Sequence, residues 1–136
     1  MALKFVVDTS IWIDYLENRS DRLRPLGEFA LRFLNQCKQE GWIILLPDIV
    51  ASELSAFYGK ETTSNLIESF PETIKRVMTP SHLFAAAKLI ATARSVPPND
   101  ALIALLARLH KARVVTRDRH FQELQHIAVS SVPELL

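Results

Sequence analysis

Three observations predict an α/β fold, a three-layer α-β-α architecture around a parallel central sheet of four to five strands. The apolar runs are short and continuous, as in Phe5-Val6-Val7 and Trp42 to Leu46. Strands that lose their polar alternation are covered on both faces. Segments with helical periodicity separate these runs, and strands alternating with helices build a parallel sheet. The first run breaks directly into Asp8-Thr9-Ser10, a carboxylate and two hydroxyls where a strand would leave the sheet. Ligands of open parallel sheets bind beyond the carboxyl ends of the strands. The useful question is therefore which other residues reach Asp8.

The elements follow in order. After the first strand, Ile11, Trp12, Tyr15 and Leu16 lie on one face of a helix from Ser10 to Asn18, with Thr9 or Ser10 as its cap. Asn18 to Asp21 is a polar loop. A second helix spans Arg22 to Glu40, with Leu26, Phe29, Ala30, Phe33, Leu34 and Cys37 recurring at three and four, and Gly41 ends it. Trp42 to Leu46 is the second strand. Asp48 caps a helix from Ile49 to Tyr58 that carries Glu53, and Gly59 ends it. Glu61 to Phe70 is a short helix stopped by Pro71. Thr73 to Met78 is a third strand interrupted by Lys75 and Arg76.

Pro80 and Ser81 open a helix to Ser95. Pro97-Pro98 breaks the chain, and Asn99 or Asp100 caps a helix from Ala101 to Lys111. That helix is apolar almost all round, so it is expected against the sheet or against a second copy of the chain. Val114-Val115-Thr116 is a fourth strand, Phe121 to Gln125 a helical turn, and Ile127 to Val129 a fifth strand at the edge. Right-handed crossovers would place all strand C-termini on one rim.

The 136 residues fit one domain, 1–136, with 49% hydrophobic and 23% charged residues. That balance argues against disorder. A formal net charge of +1 supplies no global attraction to polyanions, so any nucleic-acid site is a local patch. One cysteine, Cys37, excludes an internal disulfide and a cysteine-cage zinc site. The apolar part of Met1 to Val7 is too short for a signal peptide, and no run approaches the ~20 residues of a membrane span. A cytoplasmic protein with no membrane association is expected.

Four acids fall where one rim could gather them: Asp8, Glu53, Asp100 and Asp118. Singly, each reads equally well as a cap, a turn residue or a solvated helix acid. Together they could not all stay ionised without a counter-charge. Carboxylates alone, with no imidazole or thiolate alongside, select hard, oxygen-seeking ions such as Mg²⁺ or Mn²⁺. Such ions suit phosphoryl chemistry, because they bind phosphate oxygens, acidify water and stabilise a leaving oxygen.

Val6-Val7-Asp8-Thr9-Ser10, Ser52-Glu53-Leu54, Asn99-Asp100-Ala101-Leu102-Ile103-Ala104 and Val115-Thr116-Arg117-Asp118-Arg119-His120-Phe121 occur in that order over the whole chain. This ordered set resembles the PIN-domain family, and within it the VapC-type toxin ribonucleases. The resemblance implies a metal-dependent endoribonuclease, with Asp8 and Asp100 as main ligands of Mg²⁺ or Mn²⁺. Glu53 and Asp118 would hold a second ion or orient the attacking water. Thr9, Ser10 or Thr116 would hydrogen-bond these acids from behind. The resemblance further implies a homodimer and a small antitoxin protein that blocks the site with basic residues. Some relatives carry a further acid shortly after the position of Asp118, where this chain reads Arg119-His120. That departure leaves a fully occupied second ion site open, with His120 a peripheral ligand, an RNA contact or a partly exposed histidine.

Arg94, Arg117 and Arg119 are the cations near the acids that could hold RNA phosphates, and Trp12 and Tyr15 could stack a base or belong to the core. The alternative to an enzyme is a non-catalytic RNA-binding or scaffold protein of the same fold. Phosphotransfer from a strand-end aspartate fits less well. Haloacid-dehalogenase-type phosphatases need a second Asp at the position of Ser10, and receiver domains need an acidic pair and a late lysine.

Overall fold

A computed structural model of the chain describes residues 2–136. Its centre is a sheet of β1 (Lys4–Val7), β2 (Ile43–Pro47), β3 (Ile74–Val77), β4 (Arg113–Val115) and β5 (Ser130–Ser131). All neighbouring strands are parallel, in the order β3-β2-β1-β4-β5. Helices α1 (Thr9–Glu17), α2 (Leu26–Glu40), α3 (Asp48–Tyr58), α4 (Lys60–Ser69), α5 (His82–Arg94) and α6 (Pro98–Leu109) flank it. This is the three-layer α/β arrangement that the continuous apolar runs predict. Phe5, Val6 and Val7 are fully buried because β1 is the middle strand with helices on both faces.

The core is built around β1. Phe5 meets the Phe33 ring edge-on at 5.2 Å and the Trp42 ring at 5.5 Å. Side chains of this size each contribute about 1.5–3 kcal/mol by leaving water. Cys37 is buried in the same cluster, which pushes its thiol up to about 12 and leaves it inert.

Strand order reverses at β1. Successive strands step outward from β1 through β2 to β3, and then β4 and β5 lie on the other side. The crevice beyond β1 and β4 is therefore the topological switch point, where such sheets bind ligands.

Several local expectations are corrected by tertiary context. Asp8, not Thr9 or Ser10, is the N-cap of α1. The second helix begins at Leu26, after Pro25, rather than at Arg22. Proline disfavours helical geometry in the residue before it, and Arg22 takes a positive φ of 53°. Gly27 lets α2 pass close to the end of α1, since a Cβ there would lie 2.5 Å from the Asn18 backbone. Asp48 lies within α3 rather than capping it, and its carboxylate accepts from the Thr79 N–H at 3.1 Å and the Thr79 hydroxyl at 2.5 Å. α6 starts at Pro98, so Asn99 and Asp100 sit in its first turn instead of capping it. Proline is preorganised for that first position and has no N–H to satisfy.

The edge strand is Ser130–Ser131, not Ile127 to Val129. Ile127 and Ala128 bury their side chains from a turn whose N–H groups bond Leu124 O. The apolar girth of α6 is consumed inside the chain. Ala101, Leu102, Ile103, Ala104, Leu106 and Ala107 are buried against α5, β1 and β4. Most of that helix's apolar surface is therefore covered by the chain itself, with Leu105 partly buried and Leu109 exposed.

Candidate active site

Asp8 is placed by the sheet itself. Its N–H donates to Val115 O at 2.9 Å, which extends the β1–β4 pairing one residue past β1. The chain then turns into α1, and both carboxylate oxygens face donors. Oδ1 accepts from Thr9 N at 2.9 Å. Oδ2 accepts from Ser10 Oγ at 3.0 Å and from Thr116 Oγ1 at 2.9 Å. Burial nevertheless raises the Asp8 pKa above the usual carboxylate range, with the hydrogen bonds from Thr116, Ser10 and Thr9 opposing and Asp118 adding to the rise. The same Thr116 hydroxyl accepts the Asp118 N–H at 3.0 Å. One side chain at the end of β4 thus ties together two acids far apart in the chain.

Asp100 reaches this rim from the first turn of α6, where the helix N-terminus favours negative charge. It is 9% exposed. Burial, then the charges of Asp118 and Asp8 and a hydrogen bond with Asp118, push its pKa to about 7, with His120 opposing. Asp118 caps a short 3₁₀ helix, Arg119–Leu124, and its Oδ1 accepts from His120 N at 2.9 Å. The His120 ring folds back over both acids, with Nδ1 2.9 Å from Asp118 Oδ1 and 3.2 Å from Asp100 Oδ2. One oxygen from each aspartate and one ring nitrogen lie within 4.8 Å of one another.

Glu53 comes from α3. Asn99 Nδ2 donates to its Oε1 over a long 3.5 Å. Burial raises its pKa, Thr9 and Asn99 pull it back, and the Asp8 charge raises it again. Glu53 and Asp100 therefore both feel Asp8, and the structure brings Asp8, Glu53, Asp100 and Asp118 to one rim. Among the described residues, no lysine or arginine forms an ion pair with any of them. Buried like charges without a counter-ion either take up protons or hold a cation. The donor set fits a divalent cation: carboxylate oxygens and one imidazole, with an oxygen of Asp100, an oxygen of Asp118 and a His120 ring nitrogen already converging.

The arginines separate into two kinds. Arg117 is 15% exposed and already engaged, with NH1 and NH2 on Glu134 at 2.8 and 2.7 Å and Nε 3.5 Å from Asp14. Its guanidinium also lies 5.9 Å from the Phe29 ring centre. RNA phosphate could recruit it only by breaking these pairs. Asp14 is buried as one of its partners. Arg119 and Arg94 are exposed, on the 3₁₀ helix and at the end of α5. Trp12 is fully buried and belongs to the core.

Asn99 is the site residue that sequence reasoning missed as such. Its adjacency to Asp100 was the available signal, but capping explained it equally well at that level. His120 was visible as a departure from the motif, whereas its contact with both aspartates needed the 3₁₀ turn.

Comparison with known proteins adds to this geometry. VapBC2 from Rickettsia felis bound to a DNA fragment from its promoter superposes with a TM-score of 0.67 and 16% identity, covering 96% of this chain and 98% of that one. A toxin–antitoxin complex from Klebsiella pneumoniae gives 0.64 and 16%, covering 94% and 96%. FitAcB from Neisseria gonorrhoeae gives 0.65 and 18%, covering 97% and 99%. At such identities the likeness is one of fold. No curated protein matches the chain by sequence. The family model described as PIN domain matches residues 5–127. With that match spanning most of its length, and with its acids gathered at the switch point of a parallel sheet, this chain belongs to the PIN domain family.

Proposed function

We propose that this protein is a divalent-cation-dependent endoribonuclease that hydrolyses RNA phosphodiester bonds, and that it is the VapC-type toxin of a toxin–antitoxin pair. The observation that carries the reading is the gathering of Asp8, Glu53, Asp100 and Asp118 at one rim with no lysine or arginine paired to them among the described residues. A structural role would leave such acids paired, as Asp14 and Glu134 are. Family membership makes a nuclease the natural reading, and the structural neighbours that are toxin–antitoxin complexes favour the toxin context.

Asp8 and Asp100 would be the main holders of Mg²⁺ or Mn²⁺, with Asp118 and Glu53 beside them. The bound cation would neutralise charge on the phosphate and acidify water. The chain's own contribution is positioning. Thr116, Ser10 and Thr9 fix both oxygens of Asp8, and Asn99 steadies the Glu53 carboxylate that would orient the attacking water. A cavity of about 270 Å³ lies beside Asp118, lined by Thr116, Arg117, Asp118, Arg119, Gln122 and Ser131 among others, and by none of Asp8, Glu53 and Asp100. Arg119, with its guanidinium free of the pairs that hold Arg117, would meet phosphates there, and Arg94 would do so farther out. If the protein homodimerises, α5 is the better face than α6, because it exposes Phe84 and Leu89.

The test is cleavage of a single-stranded RNA with and without added Mg²⁺ or Mn²⁺. Asp8→Asn should retain the circular dichroism of the native protein and lose cation-dependent cleavage. A variant that cuts as fast as wild type defeats the proposal.

A further inference from the structure

The pairing of His120 with both aspartates calls for an explanation that a surface histidine does not need. Its ring is about half exposed, yet Nδ1 sits within hydrogen-bond distance of Asp100 Oδ2 and Asp118 Oδ1 rather than turning to water. Its backbone is held as well, since His120 N donates to Asp118 Oδ1 and Asp118 caps the 3₁₀ helix. The three candidate donor atoms converge within 4.8 Å. Nδ1 thus lies where a cation held by both carboxylates would meet a third ligand atom.

On the reading that these acids hold a divalent cation, we propose that His120 is a nitrogen ligand to it through Nδ1, and that this ligand biases the site toward Mn²⁺ over Mg²⁺. Carboxylates and water suit Mg²⁺ and Mn²⁺ alike, whereas imidazole is a ligand for transition ions. Binding through Nδ1 uses the neutral Nε2–H tautomer of the ring, and any proton held on Nδ1 moves to Nε2 or is released to water as the ion binds. His120 thus stands where an additional carboxylate would make the site harder and more anionic, and the exchange lowers the site's negative charge by one.

The experiment is Mn²⁺ titration of the cation-free full chain, read by the loss of the free-ion EPR signal, with Mg²⁺ as competitor. It is paired with pulsed EPR for nitrogen coupling to bound Mn²⁺. Wild type should show one ¹⁴N coupling. His120→Ala should lose it and bind Mn²⁺ about tenfold more weakly, a change typical for loss of one supporting group at a metal site, with Mg²⁺ affinity within about twofold. Mn²⁺ bound to wild type without nitrogen coupling overturns the role of His120 and leaves the carboxylate site standing. Failure of wild type to bind Mn²⁺ at all overturns the carboxylate site, and the proposal with it. Because the coupling is measured on wild type, the result does not depend on the variant folding.

Discussion

Two groups of acids lie on either side of the Thr116–Asp118 loop, and they differ in whether a guanidinium accompanies them. Asp14 and Glu134 share the Arg117 guanidinium. Burial pushes both up; Arg117, helped by a backbone hydrogen bond and Arg24, holds Glu134 below its ordinary value, whereas Arg117 only tempers the rise of the more deeply buried Asp14. Asp8, Asp100 and Asp118 face hydroxyls, backbone N–H groups and one imidazole, with no guanidinium or ammonium in reach among the described residues. Burial wins at Asp8 and Asp100, and Asp100 rises to about 7. Adjacent residues of one loop thus serve different ends, with Arg117 closing a structural ion pair and Asp118 joining an uncompensated rim. Negative charge alone marks neither group. The missing counter-charge distinguishes the rim, and it implies that stability was given up there.

The comparison can be broken in several ways. The largest effect is expected from Asp100→Asn, which should lower cation-dependent cleavage by about 100-fold or more, on the scale of losing one preorganised electrostatic group. The matching change on the other side, Glu134→Gln, should leave cleavage within about twofold. Arg117→Ala should lower unfolding free energy by about 2 kcal/mol in urea denaturation. Breaking a fully buried pair costs about 3–5 kcal/mol, and this one is partly exposed. Should Arg117→Ala instead spare stability and abolish RNA binding, the division between the groups collapses.

pH sharpens the contrast further. Asp100 binds its proton more tightly folded than unfolded, because its folded pKa lies near 7 against an ordinary 3.8. Cation-free protein should therefore lose stability as pH rises from about 4 through 7. Thermal melts in EDTA at pH 5 and pH 8 would read this, and Asp100→Asn should flatten the slope. Cation binding needs the deprotonated carboxylate, so Mn²⁺ affinity should rise over the same interval. A more moderate effect is expected for Thr116→Val, about 2 kcal/mol for a lost hydrogen bond to a carboxylate, seen as weaker cation binding with the fold intact.

Much of the fold was legible along the chain. Continuous apolar runs such as Phe5-Val6-Val7 identify buried strands, and three-and-four spacing identifies helices, because both are local consequences of backbone geometry. The boundaries that moved were those decided by proline and by competition between caps. Pro98 starts α6 and draws Asn99 and Asp100 into it, and a turn closed on Leu124 displaces the edge strand to Ser130–Ser131. The apolar α6 was ambiguous between core and interface, since sequence reports what a surface needs and not which surface covers it.

What the sequence alone determined is the class of fold, the strand-end placement of Asp8, and the presence of acids enough for a hard cation. Which acids stay free was decided in three dimensions. Thr116 reaches Asp8 across 108 positions, and Arg117 lies beside Asp14, which comes from the first helix of the chain. Charge compensation depends on distance through space, and only the folded sheet brings the termini of β1 and β4 side by side.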